Sequence, residues 1–202
     1  MTKSEFAARL QHACAAVIAA EPELTEIDSK FGDADHGLTM TKIAGAISAA
    51  VEEAEDGIQS MLDDAAMAVM SLNGGSAVPL WNTWLDGMQE EAPEGDEIDV
   101  AGIRAIFAKA FEEIDDMSGA KVGDKTMMDA LIPASEAVAA YGGSDENELF
   151  AAAARAALEG AEASKQFVSK FGRAKSYGTK TIGTPDAGAT SMAYFFQGLA
   201  QA

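Results

Sequence analysis

Along the whole chain apolar residues recur three and four positions apart, and no segment alternates apolar with polar at period two. Such a chain can form helices whose apolar stripes are buried against one another, and it offers no segment for a sheet. The first helix is expected to begin at Thr2, because Thr2 and Glu5 have capping-box spacing and Phe6, Leu10, Cys14, Val17 and Ile18 then share one face. It should end near Pro22. A second helix follows a glycine-rich turn and carries Met40, Ile43, Ala44, Ile47, Ala50 and Val51 at helical spacing. A third is expected from about Ile58 to Leu72, a fourth from near Pro79, and a fifth through Val100, Ile103, Phe107, Phe111 and Ile114. The sixth should run from Asp124 to about Tyr141 with a kink at Pro133, the seventh from Asn147 to about Lys170, and the last from Ala187 to Gln201. Eight amphipathic helices imply an all-α bundle or barrel, and 202 residues suit one domain over residues 1–202.

Charge then narrows the partners. A formal net charge of −19 repels a polyanion, so neither DNA nor RNA is an expected partner. A nucleotide ligand remains open, because bound divalent cations can supply the positive charge that the side chains lack. Cys14 is the only cysteine, which rules out an intrachain disulfide or a thiolate metal cluster and fits a reducing cytoplasm. The N-terminal MTKSEFAARL has no secretory-signal pattern. The longest uncharged run, Ala65 to Leu85, is broken at its centre by LNGGSAVP, so no membrane span is expected.

The informative segments interrupt the helices: DSKFGDADHG, LNGGSAVPLWN, SGAKVGDKTMMDAL and GRAKSYGTKTIGTPDAG. In the first, Asp28, Asp33 and Asp35 crowd three carboxylates around Gly32, an arrangement that repels unless a cation joins them. Their hard oxygens suit magnesium or calcium; alternatively Asp35 caps the second helix, and Asp28 and Asp33 are turn residues. His36 and Gly37 stand at a helix start, where unpaired N–H groups favour an anion. The two glycines before Ser76 make a loop able to wrap a phosphate or a nucleotide ring, or a plain turn. Asp124 and Lys125 lie near a helix start, with Met127 and Met128 as soft surface for a base or as core. The last segment is no P-loop, since five residues separate Gly172 from Gly178 and Thr179 precedes Lys180. Arg173 reads as a cation facing phosphate oxygens, or as a surface residue.

Taken together, IDSKFGDADHGLTM, NGGSAVPL, GDKTMMDALIPA and GRAKSYGTKTIGTPDAGATS resemble the dihydroxyacetone kinase L-subunit family, in order and over nearly the whole chain. The resemblance implies an up-and-down barrel of eight antiparallel helices holding an adenine nucleotide, ATP or ADP, and two Mg2+ ions at one end. It implies that Asp28, Asp33 and Asp35 hold the metals. Nucleotide contacts fall on His36, Gly37, Leu38, Thr39, Ser76, Ala77, Gly119, Met127, Arg173, Asp186, Ala187 and Gly188. It also implies a separate K subunit that carries the ketose covalently on a histidine. The chain departs from the family pattern at Ala77, which lacks a hydroxyl, at Val78, which adds bulk in place of glycine, and at Asn82. Lys175, Ser176, Tyr177 and Ala187 are further departures.

The expected reaction is phosphoryl transfer from a magnesium-bound adenine nucleotide to a hydroxyl of a short ketose, with Arg173 as the catalytic cation. Three alternatives stay open: a carrier that keeps ADP and relays phosphate from a phosphotransferase-system protein, a kinase subunit for erythrulose, and a metal-dependent phosphatase.

Overall fold

The computed structural model describes residues 1–201 and is all-helical among them. Helix α1 spans Lys3–Ala19 and opens with the expected reciprocal cap: Thr2 Oγ1 accepts from the Glu5 N–H, and the Glu5 carboxylate accepts from the Thr2 N–H at 2.7 Å. Pro22 does not close this helix. It stands in the first turn of an additional one, α2 (Glu21–Ser29), where a missing N–H costs no intrahelical bond. Leu24 and Ile27 bury one side of α2, and the Tyr194 hydroxyl donates to Glu23 at 2.6 Å.

The following elements are α3 (His36–Glu53), α4 (Ile58–Met70), α5 (Ala77–Glu90), α6 (Val100–Ser118), α7 (Met128–Ala140), α8 (Glu146–Ala163) and α9 (Ala187–Leu199). Pro133 stands inside α7. This helix begins four residues later than the expected Asp124, because Gly123 and Lys125 take left-handed backbone (φ 95° and 60°) that a right-handed helix excludes. Likewise α8 stops at Ala163, short of Lys170. A 3₁₀ turn follows at Ser164–Gln166, fixed by the Ser164 hydroxyl, which donates to Ala161 O and accepts from the Asp186 N–H. The segment Arg173–Thr181 forms 3₁₀ turns broken at Gly178.

Packing follows chain order with α2 set aside: α1 against α3, then α3 on α4, α4 on α5, α5 on α6, α6 on α7, α7 on α8, α8 on α9, and α9 back on α1. Helix α2 lies over α3 and α9. At the α1–α9 contact a Cβ on Gly198 would fall 2.3 Å from Ala13 Cα, so glycine sets how closely the two axes approach. The interior is aromatic. Trp84, wholly buried, packs edge-on to Trp81, Phe107 and Phe195 at centroid distances of 5.6, 5.9 and 5.5 Å. No helix among the described residues is long and apolar enough to cross a membrane.

Candidate functional site

The helix that sequence periodicity missed carries the first candidate ligand, since Asp28 lies in the last turn of α2. The chain then reverses through Ala34, whose left-handed φ of 61° is costly for a residue with a Cβ. A Cβ on Gly32 would sit 1.9 Å from Asp28 Oδ1, so only glycine leaves this carboxylate room. The reversal brings oxygen atoms of Asp28, Asp33 and Asp35 within 4.8 Å of one another. Asp35 occupies the cap position of α3 but makes no side-chain cap bond. Asp28 supplies that function from α2, its Oδ2 accepting from the N–H groups of Asp35 (3.1 Å) and His36 (3.3 Å). Burial, followed by the charge of Asp33, pushes the Asp35 carboxyl above its ordinary range. Hard oxygens, mutual repulsion and one carboxylate anchored by backbone N–H groups form a donor set that fits a small divalent cation.

Arg173 comes from far along the chain to this cluster, with a guanidinium nitrogen 2.8 Å from Asp33 Oδ2. Nearby, Phe31 meets Tyr177 edge-on at 5.2 Å, a second tie between the first and fourth loops that periodicity does not reveal. His36 is turned toward α9, its Nε2 3.1 Å from Ser191 Oγ, and burial holds its imidazole below the usual histidine range. The His36 ring is thus a strut between α3 and α9, and Gly37 and Leu38 follow it in the first turn of α3. Leu38 is exposed, Thr39 half-buried.

The second loop reaches the same end, because a Cβ on Gly74 would fall 2.6 Å from Val78 Cγ2 and 3.4 Å from Thr39 Cγ2. Ser76 is exposed at the start of α5 and makes no cap bond, which leaves its hydroxyl available beside Ala77. Val78 is buried, and Asn82 donates to Ala66 O at 2.9 Å, joining α5 to α4. In the third loop Gly119 ends α6 with φ 62°, and Met127 at the loop's far end is buried. Met127 lies against Gly188, where an added Cβ would come within 3.2 Å of Met127 Cβ. The carboxylate of Asp186 caps α9 by accepting from the Ala189 N–H at 2.8 Å, and Ala187 and Gly188 form the first turn. Burial raises the Asp186 carboxyl to about 7.

A family model described as the DAK2 domain matches residues 30–201. The chain is 36% identical over 179 residues to a D-erythrulose kinase of Mycolicibacterium smegmatis, covering 86% of this chain and 31% of that protein. It is 36% identical over 197 residues to an L-erythrulose kinase of Pectobacterium atrosepticum, covering 93% and 32%. The chain therefore spans about a third of the length of these two relatives. The ADP-binding subunit DhaL of the PEP-dependent dihydroxyacetone kinase of Escherichia coli is 30% identical over 198 residues, covering 94% of this chain and 92% of that subunit. Among solved structures, the dihydroxyacetone kinase of C. freundii in complex with AMP-PNP and Mg2+ shares the fold, with a TM-score of 0.72 and 24% identity over 97% of this chain and 33% of that one.

Proposed function

The chain belongs to the DAK2 domain family, and from that premise we propose that it is the nucleotide-binding subunit of a short-ketose kinase, transferring phosphate from a magnesium-bound adenine nucleotide. The observation that carries this reading is the meeting, at one end of the helices, of the Asp28, Asp33 and Asp35 cluster with Arg173. Relatives named for ADP binding and for ketose kinase activity support it. We take residues 1–202 as one nucleotide-binding domain of a cytoplasmic protein, in the form of an up-and-down eight-helix barrel. The neighbour order from α1 through α3 to α9 and back supports that form, with α2 as an outer addition.

Asp28, Asp33 and Asp35 would hold two Mg2+ ions, which when bound neutralise and orient the phosphates of ATP or ADP. The chain's own groups do the rest. At the start of α3 the backbone N–H groups of Gly37 and Leu38 would meet phosphate oxygens, flanked by His36 and Thr39, whose own N–H groups are held by Asp28 Oδ2 and Asp35 O, and Ser76 and Ala77 border them. Gly119 and Met127 on one side, with Asp186, Ala187 and Gly188 on the other, would hold the nucleoside. Arg173 exchanges Asp33 for the transferring phosphoryl group, whose oxygens a guanidinium can engage with two donors. Such transfer needs positioning and charge stabilisation more than a nucleophile on this chain. The acceptor ketose, dihydroxyacetone or erythrulose, would be carried by a separate K subunit.

The test is reconstitution. The pure chain with ATP, Mg2+ and free ketose should make little sugar phosphate, and adding a ketose-binding subunit should restore transfer. Robust ketose phosphorylation by the chain alone would overturn the division of labour. Retention of ADP through purification, with phosphate taken only from a phosphotransferase-system protein, would instead favour the relay reading.

A further inference from the structure

Lys125 takes no part in the chemistry proposed above, yet it is among the most constrained residues of the molecule. It is a charged side chain with 4% exposure on left-handed backbone, two features that each cost free energy. Its ammonium is spent on two main-chain carbonyls from different parts of the chain, Ser164 O at the end of α8 and Thr184 O before α9, each at 2.5 Å. Burial lowers the pKa of the ammonium, and the charges of Asp186 and Asp129 act against that. Asp129 is wholly buried and gathers the same loop, accepting from the N–H of Gly123 at 2.6 Å and of Thr126 at 2.7 Å. Ser164 in turn accepts from the Asp186 N–H at 2.8 Å. The loop from Gly119 to Met127 and the turn from Thr184 to Gly188 are thus joined through one ammonium and one serine.

We propose that Lys125 is a positioning residue for nucleotide binding, the tie that fixes Met127 on the third loop against the Asp186–Gly188 turn, the two elements assigned to the nucleoside. The proposal rests on the nucleotide reading above. It differs from a general stabilising role in being local: the placement of Met127 against the Asp186–Gly188 turn depends on the tie, whereas the aspartate cluster, built on α2 and α3, does not.

The test compares wild type with Lys125→Met, which keeps the aliphatic stem and removes the ammonium, and with Lys125→Gly, which the left-handed backbone accepts without strain. Three quantities are read: hydrogen exchange over residues 119–127 and 183–188, the Kd for Mg·ADP, and the Kd for Mn2+ alone. Exchange should quicken in both segments together. The Mg·ADP Kd should rise about 10- to 100-fold, the range typical of residues that support ligating groups, while the Mn2+ Kd stays within about threefold of wild type, since the Lys125 ammonium bonds none of the three aspartates. Quickened exchange confined to 119–127, or equal losses of Mg·ADP and Mn2+ affinity, would overturn the proposal. So would failure of both variants to fold, since the tie would then be global. A wild type that binds Mn2+ but no Mg·ADP would overturn the nucleotide reading and the positioning role with it, whereas variants that match a binding wild type overturn the positioning role alone.

Discussion

Arg173 holds Asp33 with 69% of its side chain exposed, and an exposed ion pair of this kind contributes about 0–1 kcal/mol to stability. Its value to the fold is small and its position beside the aspartates is what counts. Arg173→Ala should therefore leave the thermal melt nearly unchanged while slowing single-turnover phosphoryl transfer, with the partner present, by roughly 10³-fold; a loss under about tenfold would make it a surface residue. Asp186 carries a prediction of a different kind. Its carboxyl, raised by burial to about 7, binds a proton in the folded state that the unfolded chain, near an ordinary aspartate value of about 3.9, has already lost. Between these values the native state holds more protons, so stability of the nucleotide-free protein should fall as pH rises from about 4 to about 7. Asp186→Asn keeps an N-cap acceptor for Ala189 and removes the titration. Urea midpoints across that range should show a flatter slope in the variant, and an unchanged slope would place the charge effect elsewhere.

Among the elements, what the sequence made legible was local. The Thr2–Glu5 box and the apolar stripes of α3, α4 and α6 depend on residues within a few turns, and they stand where the spacing predicts. Helix α2 is not legible because a proline at the end of an apolar stripe predicts a stop, whereas in a first turn proline is compatible with a start. Alanine propensity predicts a longer α8 than forms, and Ser164 overrides it by bonding to the turn before α9. Close helix approach was equally invisible, since Gly198 matters only once α9 lies on Ala13 of α1. Gly198→Ala should push these helices apart and cost about 1–3 kcal/mol by urea denaturation, the range for overpacking. A neutral or stabilising result would mean that the contact is looser than described.

At the scale of the whole molecule, the candidate site is legible as four segments that interrupt the helices, but their joining is not. Asp28 caps a helix it does not belong to, and Lys125 bonds carbonyls 39 and 59 positions away. Such ties exist only after the ring of helices has closed. The acidity of the chain, −19 overall, suits a site that takes cations together with a nucleotide, and such a site makes the effect of Asp33 on stability depend on ligand. Without metal, Asp33→Asn relieves repulsion on Asp35 and loses the exposed pair with Arg173, two opposing effects each of at most about 1 kcal/mol. A ligand at about 100 times its Kd adds roughly 2.7 kcal/mol to the folded state, or about 5–10 °C for a chain of this size. The measurement is four thermal melts, wild type and Asp33→Asn, each with EDTA and with saturating Mg·ADP. The account predicts nearly equal melts in EDTA and a ligand-induced rise that wild type shows and the variant largely loses; a variant that keeps the full rise would contradict the assignment of the aspartate cluster to metal.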